Sequence, residues 1–483
     1  MAERARRYLW VAVQLPLFAA FVGYRIAATI SYPPAVWQDS EGYKAVAANG
    51  WFTARLWAGP RSPLVPVLMK LSGTYNRYLL VQAIVGALAW AFLAYSAGRL
   101  VPNSWRKPVM TALVLGFAAS PLVVMWDGSA LSESPSLSIL ALLWAGGIWL
   151  VRRFSRTRLA AFSAAVLAYC LVRDADIWTF ALLGLALLLI GLIMTVQGIA
   201  NDPAGSRQRL HANWGRARRL VAVAGVLLVI SLSTEVAASS AHRNPNLEDA
   251  FAVRIFPFPD RVAWFASEGM PQADKIDALV KASRPSAALP LVVKPDLKSS
   301  PWSPLAGWFA RDGQTDYDLF LLLHPWYDLT APFASPHLTF NDSSGNLAGY
   351  VPSGYPLAGW LGDLFNPNRV VEVVLGLAAL MVAGLRGVWR RPDWRFTVLF
   401  GVPGLWSMLL AWHGEGMEVT RHMVEGNVEV RLGILLALLV GALASRPSSP
   451  PGVRVNGATR ERVAPAPPVD AAASAPEKVL VTA

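Results

Sequence analysis

Long apolar runs are the feature that most restricts the fold of this chain. Windows of roughly 17 or more mostly apolar residues recur along the sequence, separated by short arginine-rich segments, and such a window is long enough to cross a membrane as a helix. Only 15% of the 483 residues are charged, whereas soluble globular proteins contain about 25%. The sequence therefore predicts an all-α polytopic membrane protein.

About ten transmembrane helices are predicted from the apolar windows, together with a small extracytoplasmic α-rich domain inserted late in the chain. The fifth window is short for a span. The predicted spans are 8–30, 78–98, 108–126, 133–151, 159–173, 177–198, 219–238, 369–386, 396–412 and 428–445.

These spans divide the chain into four parts. Residues 1–238 form an N-terminal transmembrane module with a long first outer loop, 31–77. Residues 239–368 form the extracytoplasmic domain, and 369–445 form the C-terminal transmembrane helices. The tail, 446–483, is rich in Pro, Ala and Ser and is predicted to be disordered and cytoplasmic.

Basic residues alternate with the predicted spans in the way that membrane topology requires. They precede the first span and follow the second, fourth, sixth and eighth, and such segments are retained in the cytoplasm. Both termini are thus predicted to be cytoplasmic. The placement of basic residues on one side of the membrane accounts for the net charge of +12, so nucleic acid is not an expected partner. Membrane lipids are an expected partner. The abundance of Arg, Ala, Gly, Pro and Trp suggests a GC-rich bacterium and its plasma membrane.

Carboxylates near membrane level fall largely on the opposite, outer side. A charged group at the bilayer centre costs about 2.5–3.5 kcal/mol on insertion scales, so acids persist where a cavity or counter-charge receives them. Each alone is more often a solvated helix cap, but together they predict a functional surface facing outward. They are Asp39, Glu41, Asp127, Glu133, Asp174, Asp176, Glu415, Glu418 and Glu425.

Asp39 stands out because aromatic residues surround it in the sequence. Trp37, Tyr43 and Trp51 are typical of an interfacial aromatic belt, in which Asp39 would be a surface residue, and equally of a sugar-binding cleft. In the second interpretation Asp39 is a general base, a role worth typically ~100- to 10,000-fold in rate. Glu133 likewise has two possible roles: a functional acid, or an acid at the N-terminus of a helix that is stabilised by the macrodipole.

Three segments resemble the GT-C superfamily of integral-membrane glycosyltransferases. They are "DSEGY" after the first span, "RSPLVPVL" before the second, and "ALSESPS", in which Glu133 opens the fourth. The similarity covers roughly residues 8–200 and, beyond them, the layout of a late outer domain and last spans. Many members have adjacent acids where Ser40 follows Asp39 here, which disfavours a metal at that position.

The resemblance implies transfer of a sugar from a polyprenyl-phosphate donor to a glycan or glycolipid acceptor of the cell envelope. The reaction takes place on the outer face, usually with inversion. Asp39 is implied as the base that deprotonates the acceptor hydroxyl, and Glu133 as a residue orienting the acceptor or a basic partner. The sugar remains open between mannose and arabinose.

An anionic lipid-phosphate leaving group requires cations at the outer side. The alternative role for each candidate cation is a local ion pair with a neighbouring acid. The segment "HGEGMEVTRH" places Glu418, Arg421 and His422 on one helix face, which allows a divalent metal to be considered, although no specific ligand pattern supports one. The substrate-binding candidates are Glu41, Tyr43, Arg61, Arg173, Asp174, Arg421 and His422.

Two other functional classes remain. A lipid-carrier flippase or secondary transporter would place polar groups mid-membrane on broken helices. A structural subunit could bind envelope polymers through its outer domain, leaving the acids as surface residues. The sequence contains no Walker loop, which argues against a nucleotide-driven pump.

Overall fold

The described part of the chain consists mainly of helices and the segments that connect them. The computed structural model describes residues 2–59, 61–173, 176–200, 207–237, 247–282, 302–340, 350, 354–414 and 418–445. Within these ranges no strand is present, and residues 1–445 form one compact unit. The predicted tail at 446–483 and the candidate residue Asp174 lie outside the described residues.

The N-terminal half contains long helices with three short ones in the first outer loop. The helices are α1 (Ala2–Ile30), α2 (Gln38–Ala47), α3 (Ala54–Trp57), α4 (Leu64–Ser72), α5 (Tyr75–Gly98), α6 (Arg106–Ala118), α7 (Pro121–Val124), α8 (Glu133–Arg152), α9 (Arg156–Cys170), α10 (Asp176–Ala200) and α11 (Arg207–Ala237).

The C-terminal half begins with short helices and ends with three long ones. They are α12 (Leu247–Arg254), α13 (Pro259–Ser267), α14 (Ala273–Ala282), α15 (Ser303–Trp308), α16 (Gln314–Leu323), α17 (Pro325–Ala334), α18 (Pro336–Thr339), α19 (Gly359–Phe365), α20 (Arg369–Arg386), α21 (Pro392–Gly414), α22 (Val419–His422) and α23 (Val424–Leu443).

Among the described residues, six helices are long and apolar enough to cross a membrane, and there are up to eight if each of two bent pairs is one span. The six lie in α1, α5, α8, α11, α21 and α23. The bent pairs are α6 with Pro121–Gly128, at 54°, and α19 with α20, at 55°. Helix α9 has only 15 residues, and the apolar stretch described in α10 is Ile177–Ile193. The count of ten therefore stays a prediction.

The central helix pair is α5 and α8, whose facing sides are fully buried. Trp90 and Tyr78 of α5 and Trp144 of α8 have no exposed side-chain surface. Because α8 has 20 residues, its two ends are separated by about 30 Å. Glu133 begins this helix and Arg152 ends it, so a single rigid element joins an acidic end of the bundle to a basic one.

At the basic end, arginines from the connecting segments cap the C-termini of the long helices. Such carbonyls have no partner within their own helix, and the macrodipole favours cations there. Arg106 Nη1 donates to Leu443 O at 3.1 Å, Arg386 Nη1 to Gly441 O at 2.9 Å, Arg391 Nη2 to Leu100 O at 3.3 Å, and Arg158 Nη1 to Trp149 O at 2.8 Å. The arginine-rich segments thus meet at one end of the bundle.

Helices α12–α16 enclose a second, aromatic core. The Phe251 ring lies at its centre, 4.7 Å from Phe265 and 5.6 Å from Trp308, centroid to centroid. This core is attached to the end of α21, where Tyr317 Oη donates to His413 O at 3.0 Å. His413 Nε2 also lies 2.9 Å from Asp328 Oδ1 in α17.

Candidate functional site

A backbone bridge positions the two predicted catalytic acids. Ala35 pairs with Ser129 in parallel orientation: Ala35 N donates to Gly128 O, and Ala130 N donates to Ala35 O, both at 2.9 Å. Asp39 lies four residues after Ala35, and Glu133 lies four residues after Ser129. The loop before α2 and the loop before α8 are therefore joined at equal distances along the chain from their acids.

Polar side chains of α5 hold the second of these loops. Gln82 Nε2 donates to the carbonyls of Trp126, Asp127 and Ser129 at 3.0–3.1 Å. Tyr78 Oη donates to Leu131 O at 2.9 Å. The loop thus has buried partners for carbonyl groups that would otherwise lose their hydration at a cost.

Helix α2 begins with a cap that fixes the direction of Asp39. The buried Ser40 hydroxyl accepts a hydrogen bond from Trp37 N at 3.0 Å, and its carbonyl accepts one from Tyr75 Oη at 3.2 Å. A second acid at position 40 would be buried here. This environment gives a physical reason why Ser40, rather than another carboxylate, follows Asp39.

One guanidinium connects three carboxylates at the acidic end. Arg421 Nε donates to Glu133 Oε1 at 2.6 Å, and its Nη1 donates to Asp39 Oδ2 and Glu418 Oε2, both at 2.8 Å. Asp39 Oδ1 accepts a further bond from Arg61 Nη2 at 2.6 Å. We call Asp39, Arg61, Glu133, Glu418 and Arg421 the Arg421 network; it has three carboxylates and two guanidiniums.

The Arg421 network extends from the buried core to the surface. The side chains of Glu133 and Arg421 are 0% and 3% exposed, whereas those of Asp39 and Arg61 are 22% and 35% exposed. Glu133 Oε2 is buried and has no hydrogen-bond partner among the described residues. The Glu418 side chain, at 39%, is the most exposed of the five. The network therefore offers a ligand from solvent two accessible carboxylates, Asp39 and Glu418, and one accessible guanidinium, Arg61.

Gly42 allows Arg61 to lie along α2. A Cβ added at Gly42 would be 3.3 Å from Arg61 Nε, closer than most side-chain contacts. The guanidinium carbon of Arg61 also lies 5.3 Å from the ring centroid of the buried Tyr43, in a cation–π contact. Tyr43 shares a hydrogen bond with the Ser132 side chain, next to Glu133.

The charges of the network stabilise one another. Burial raises the pKa of Asp39, but the guanidiniums of Arg421 and Arg61 outweigh this effect, and its pKa lies below the usual range. Burial lowers the pKa of Arg421, but Glu133, Glu418 and Asp39 more than reverse it, and the pKa lies well above its usual value. Asp39 is therefore ionised at neutral pH and able to accept a proton.

A second group of charges adjoins the network through His422. Arg173 Nη2 contacts His422 Nδ1, and Arg173 Nη1 is paired with Glu425. Burial and the guanidiniums of Arg173 and Arg421 hold the pKa of His422 well below its usual value. His422 is therefore neutral at neutral pH, with Nδ1 accepting from Arg173.

Tyr350 packs against the network, and sequence analysis missed it. Its hydroxyl donates to Glu418 Oε1 at 2.7 Å, and its ring lies 5.7 Å from the guanidinium carbon of Arg421. The ring also lies 5.4 Å from that of Trp37 and 5.8 Å from that of Trp126. No signal in the sequence around Tyr350 connects it with Asp39.

A buried ion pair lies beside the loop of Glu133. Arg25 of α1 makes a two-pronged contact with Asp127, at 2.7 Å for each bond, and Ser134 Oγ donates to Asp127 at 2.7 Å. Gly86 of α5 makes room for the pair, because an added Cβ would be 2.7 Å from Arg25 Nη2. The pair joins α1 to the start of α8.

The predicted site residues are thus found in three places. Asp39, Glu133, Arg61 and Arg421 form one network, with Tyr43 beneath Arg61. Arg173 and His422 form the adjoining group. Glu41 instead accepts a bond from Tyr75 Oη at 3.0 Å and is exposed.

The residues considered for a metal have other partners. Glu418 and Arg421 bind each other, and His422 contacts Arg173. Among the residues that the structure describes, no group of three or more His, Cys, Asp or Glu side chains could hold a metal ion. Glu415, from the same segment, lies outside the described residues.

No protein-family model matches the sequence, and none of the curated proteins compared with it is significantly similar. The function must therefore be argued from the site itself.

Proposed function

We propose that the protein is an outward-facing glycosyltransferase of the GT-C type. In this proposal it moves a sugar from a polyprenyl-phosphate donor to a cell-envelope glycan or glycolipid. The observation that carries the proposal is the meeting of Asp39, Glu133 and Arg421 in one network at the end of the bundle opposite the arginine-capped helix ends. That end receives a water-borne acceptor and a lipid-borne donor at the same boundary.

Asp39 acts as the general base. Its half-buried carboxylate accepts the proton of the acceptor hydroxyl as that oxygen bonds to the anomeric carbon of the donor sugar. The bond from this carbon to the phosphate oxygen breaks, and its electron pair leaves with the polyprenyl phosphate. Attack opposite the leaving group inverts the configuration at the anomeric carbon.

Arg61 is the group that receives the donor phosphate. It is the more exposed of the two guanidiniums bound to Asp39, and a guanidinium pairs favourably with a phosphate. If Arg61 turns to the phosphate, Asp39 loses one of its two counter-charges and its affinity for a proton rises. Donor binding would then activate the base, while Glu133 keeps Arg421 in place.

The first test is Asp39→Asn in the purified protein, with a panel of polyprenyl-phosphate sugars that includes mannose and arabinose. We expect sugar transfer to fall by about 100- to 10,000-fold, because the amide cannot accept the proton. Glu41→Gln, an exposed acid on the same helix, is the matched control and should retain activity. Full transfer by Asp39→Asn would remove the proposed base.

We propose that the chain crosses a bacterial plasma membrane ten times, with both termini in the cytoplasm. The short helix α9 supports this count. Its first turn lies at the basic end, where Arg158 Nη1 bonds to Trp149 O at 2.8 Å. The segment after it lies at the acidic end, where Leu171 O accepts from Leu64 N at 3.0 Å. Residues 239–368 would then be extracytoplasmic.

A lipid-carrier flippase or secondary transporter is the second candidate. The buried Arg25–Asp127 pair favours it, because ionisable pairs inside a helix bundle commonly mark substrate pathways. Transport of a fluorescent lipid carrier across vesicles, lost in Asp127→Asn but retained in Asp39→Asn, would support this function. Sugar transfer lost in Asp39→Asn would instead support the glycosyltransferase.

A further inference from the structure

Cations and aromatic rings gather where α5 and α8 end, far from the Arg421 network. The guanidinium carbons of Arg99 and Arg158 lie 4.7 Å and 5.0 Å from the Trp149 ring centroid. Arg99 and Lys107 also lie 5.8 Å and 6.0 Å from that of Tyr95. We call this group, with Arg152 and Arg391, the Trp149 cluster.

The Trp149 cluster has an excess of positive charge. Arg152 is repelled by the charges of Arg99, Arg158 and Arg391 and is attracted by that of Asp393. Asp393 is already bonded to Arg391 Nε at 2.9 Å. Like charges held together at a helix end repel one another, so an anion entering the cluster would be stabilised.

Capping of helix ends explains only some of these cations. Arg158, Arg391 and Arg152 donate to backbone carbonyls at the ends of α8 and α5. Arg99, by contrast, is exposed, and its guanidinium lies over two rings with Nη1 3.3 Å from Tyr95 Oη. Arg99 lies one residue beyond the end of the membrane-spanning helix α5.

An apolar surface continues from the cations along α5. Phe92 and Tyr95 are 41% and 38% exposed, and the Phe92 ring is stacked with Trp149 at 6.2 Å between centroids. Phe92 lies nearly one turn further from the helix end than Tyr95. The surface therefore runs from the charged group toward the middle of the membrane.

We propose that the Trp149 cluster binds the phosphate of an anionic phospholipid, with an acyl chain against Phe92 and Tyr95. A basic pocket between transmembrane helices beside an apolar face fits a lipid headgroup and its chain together. Inorganic phosphate shares the charge but has no chain to cover the rings. The proposal does not depend on sugar transfer.

The test uses the full-length protein in a neutral detergent, titrated with phosphatidylglycerol, phosphatidylcholine or inorganic phosphate and followed by native mass spectrometry. We expect saturable, preferential binding of phosphatidylglycerol. Arg99→Gln together with Arg152→Gln should weaken it by about fivefold for each charge removed. Arg395→Gln is the matched control, because Arg395 lies at the same end but over Trp389, at 5.7 Å.

The outcomes separate the alternatives. Equal binding of the two lipids, or unchanged affinity in the double variant, would overturn the proposal. Competition by inorganic phosphate as strong as that of the lipid would also overturn it, since the chain would then contribute nothing. If the double variant does not fold, Arg99→Gln alone decides the matter, because Arg99 is exposed; about fivefold weaker binding is expected.

Discussion

A neutral histidine beside the Arg421 network makes the stability of the acidic end depend on pH. The pKa of His422 is held well below its ordinary 6.5 in the folded protein, so the unfolded chain binds a proton that the folded chain does not. The contribution of neutral His422 to the free energy of unfolding is therefore fully present above about pH 6.5. It decreases as the pH falls toward the folded pKa, by at most about 1.4 kcal/mol per pH unit.

His422→Asn should reduce this dependence, because its amide oxygen can accept from Arg173 but does not titrate. We expect the fall in Tm between pH 7.5 and pH 5.5, measured in detergent, to be smaller in the variant. Glu41→Gln provides the control, since Glu41 is exposed and bonded to Tyr75. Parallel curves for wild type and His422→Asn would show that His422 is not the titrating group.

At the same scale, the sequence predicted the charged centre of the site but not its surroundings. Asp39 was identifiable from the aromatic residues that surround it in the sequence, and Glu133 from its place at the start of an apolar span. Arg421 was identifiable because outer cations are few. Glu418 was considered as an ion-pair partner and as part of a metal site. Tyr350 was missed, because contacts between residues so distant in the chain depend on how the helices pack.

At the scale of elements, helices α21 and α23 pack closely against each other. The backbones approach at two glycine pairs, Gly401 with Gly433 and Gly404 with Gly426. A Cβ added at Gly404 would be 2.8 Å from Gly426 O. This contact holds the helix that follows Arg421, so the position of the guanidinium depends on it.

Gly404→Ala should therefore destabilise the protein by about 1–3 kcal/mol through overpacking. Gly384→Ala in α20 is the control, because nothing lies within 4 Å of its added Cβ. That change should leave stability unchanged or raise it by up to about 1 kcal/mol. Thermal unfolding of both variants in detergent distinguishes them, and equal effects would contradict the packing argument.

The helices themselves were largely predictable, and their connections less so. Apolar length identified α5, α8, α21 and α23, because burial in lipid demands it. The bend of 54° after α6 was not predicted, since the apolar run continues through Ser120 and Pro121 without a polar interruption long enough to indicate a break.

At the scale of the whole molecule, the separation of acidic and basic ends predicts the orientation. In a Cys170→Ser background, Arg311→Cys should react with an impermeant maleimide in intact cells, because the Arg311 side chain is 74% exposed in the predicted outer domain. Arg156→Cys, at the start of α9, should react only after permeabilisation. The reverse pattern would place the Arg421 network in the cytoplasm.

The pairing of Ala35 with Ser129 has a consequence for how this chain can vary in length. Asp39 and Glu133 each lie four residues after the residue of their own loop that forms this bridge. One extra residue would turn a helical side chain by about 100°. Insertions between positions 35 and 39 or between 129 and 133 should therefore abolish activity, whereas the exposed turn at Trp51 and Phe52 should accept them.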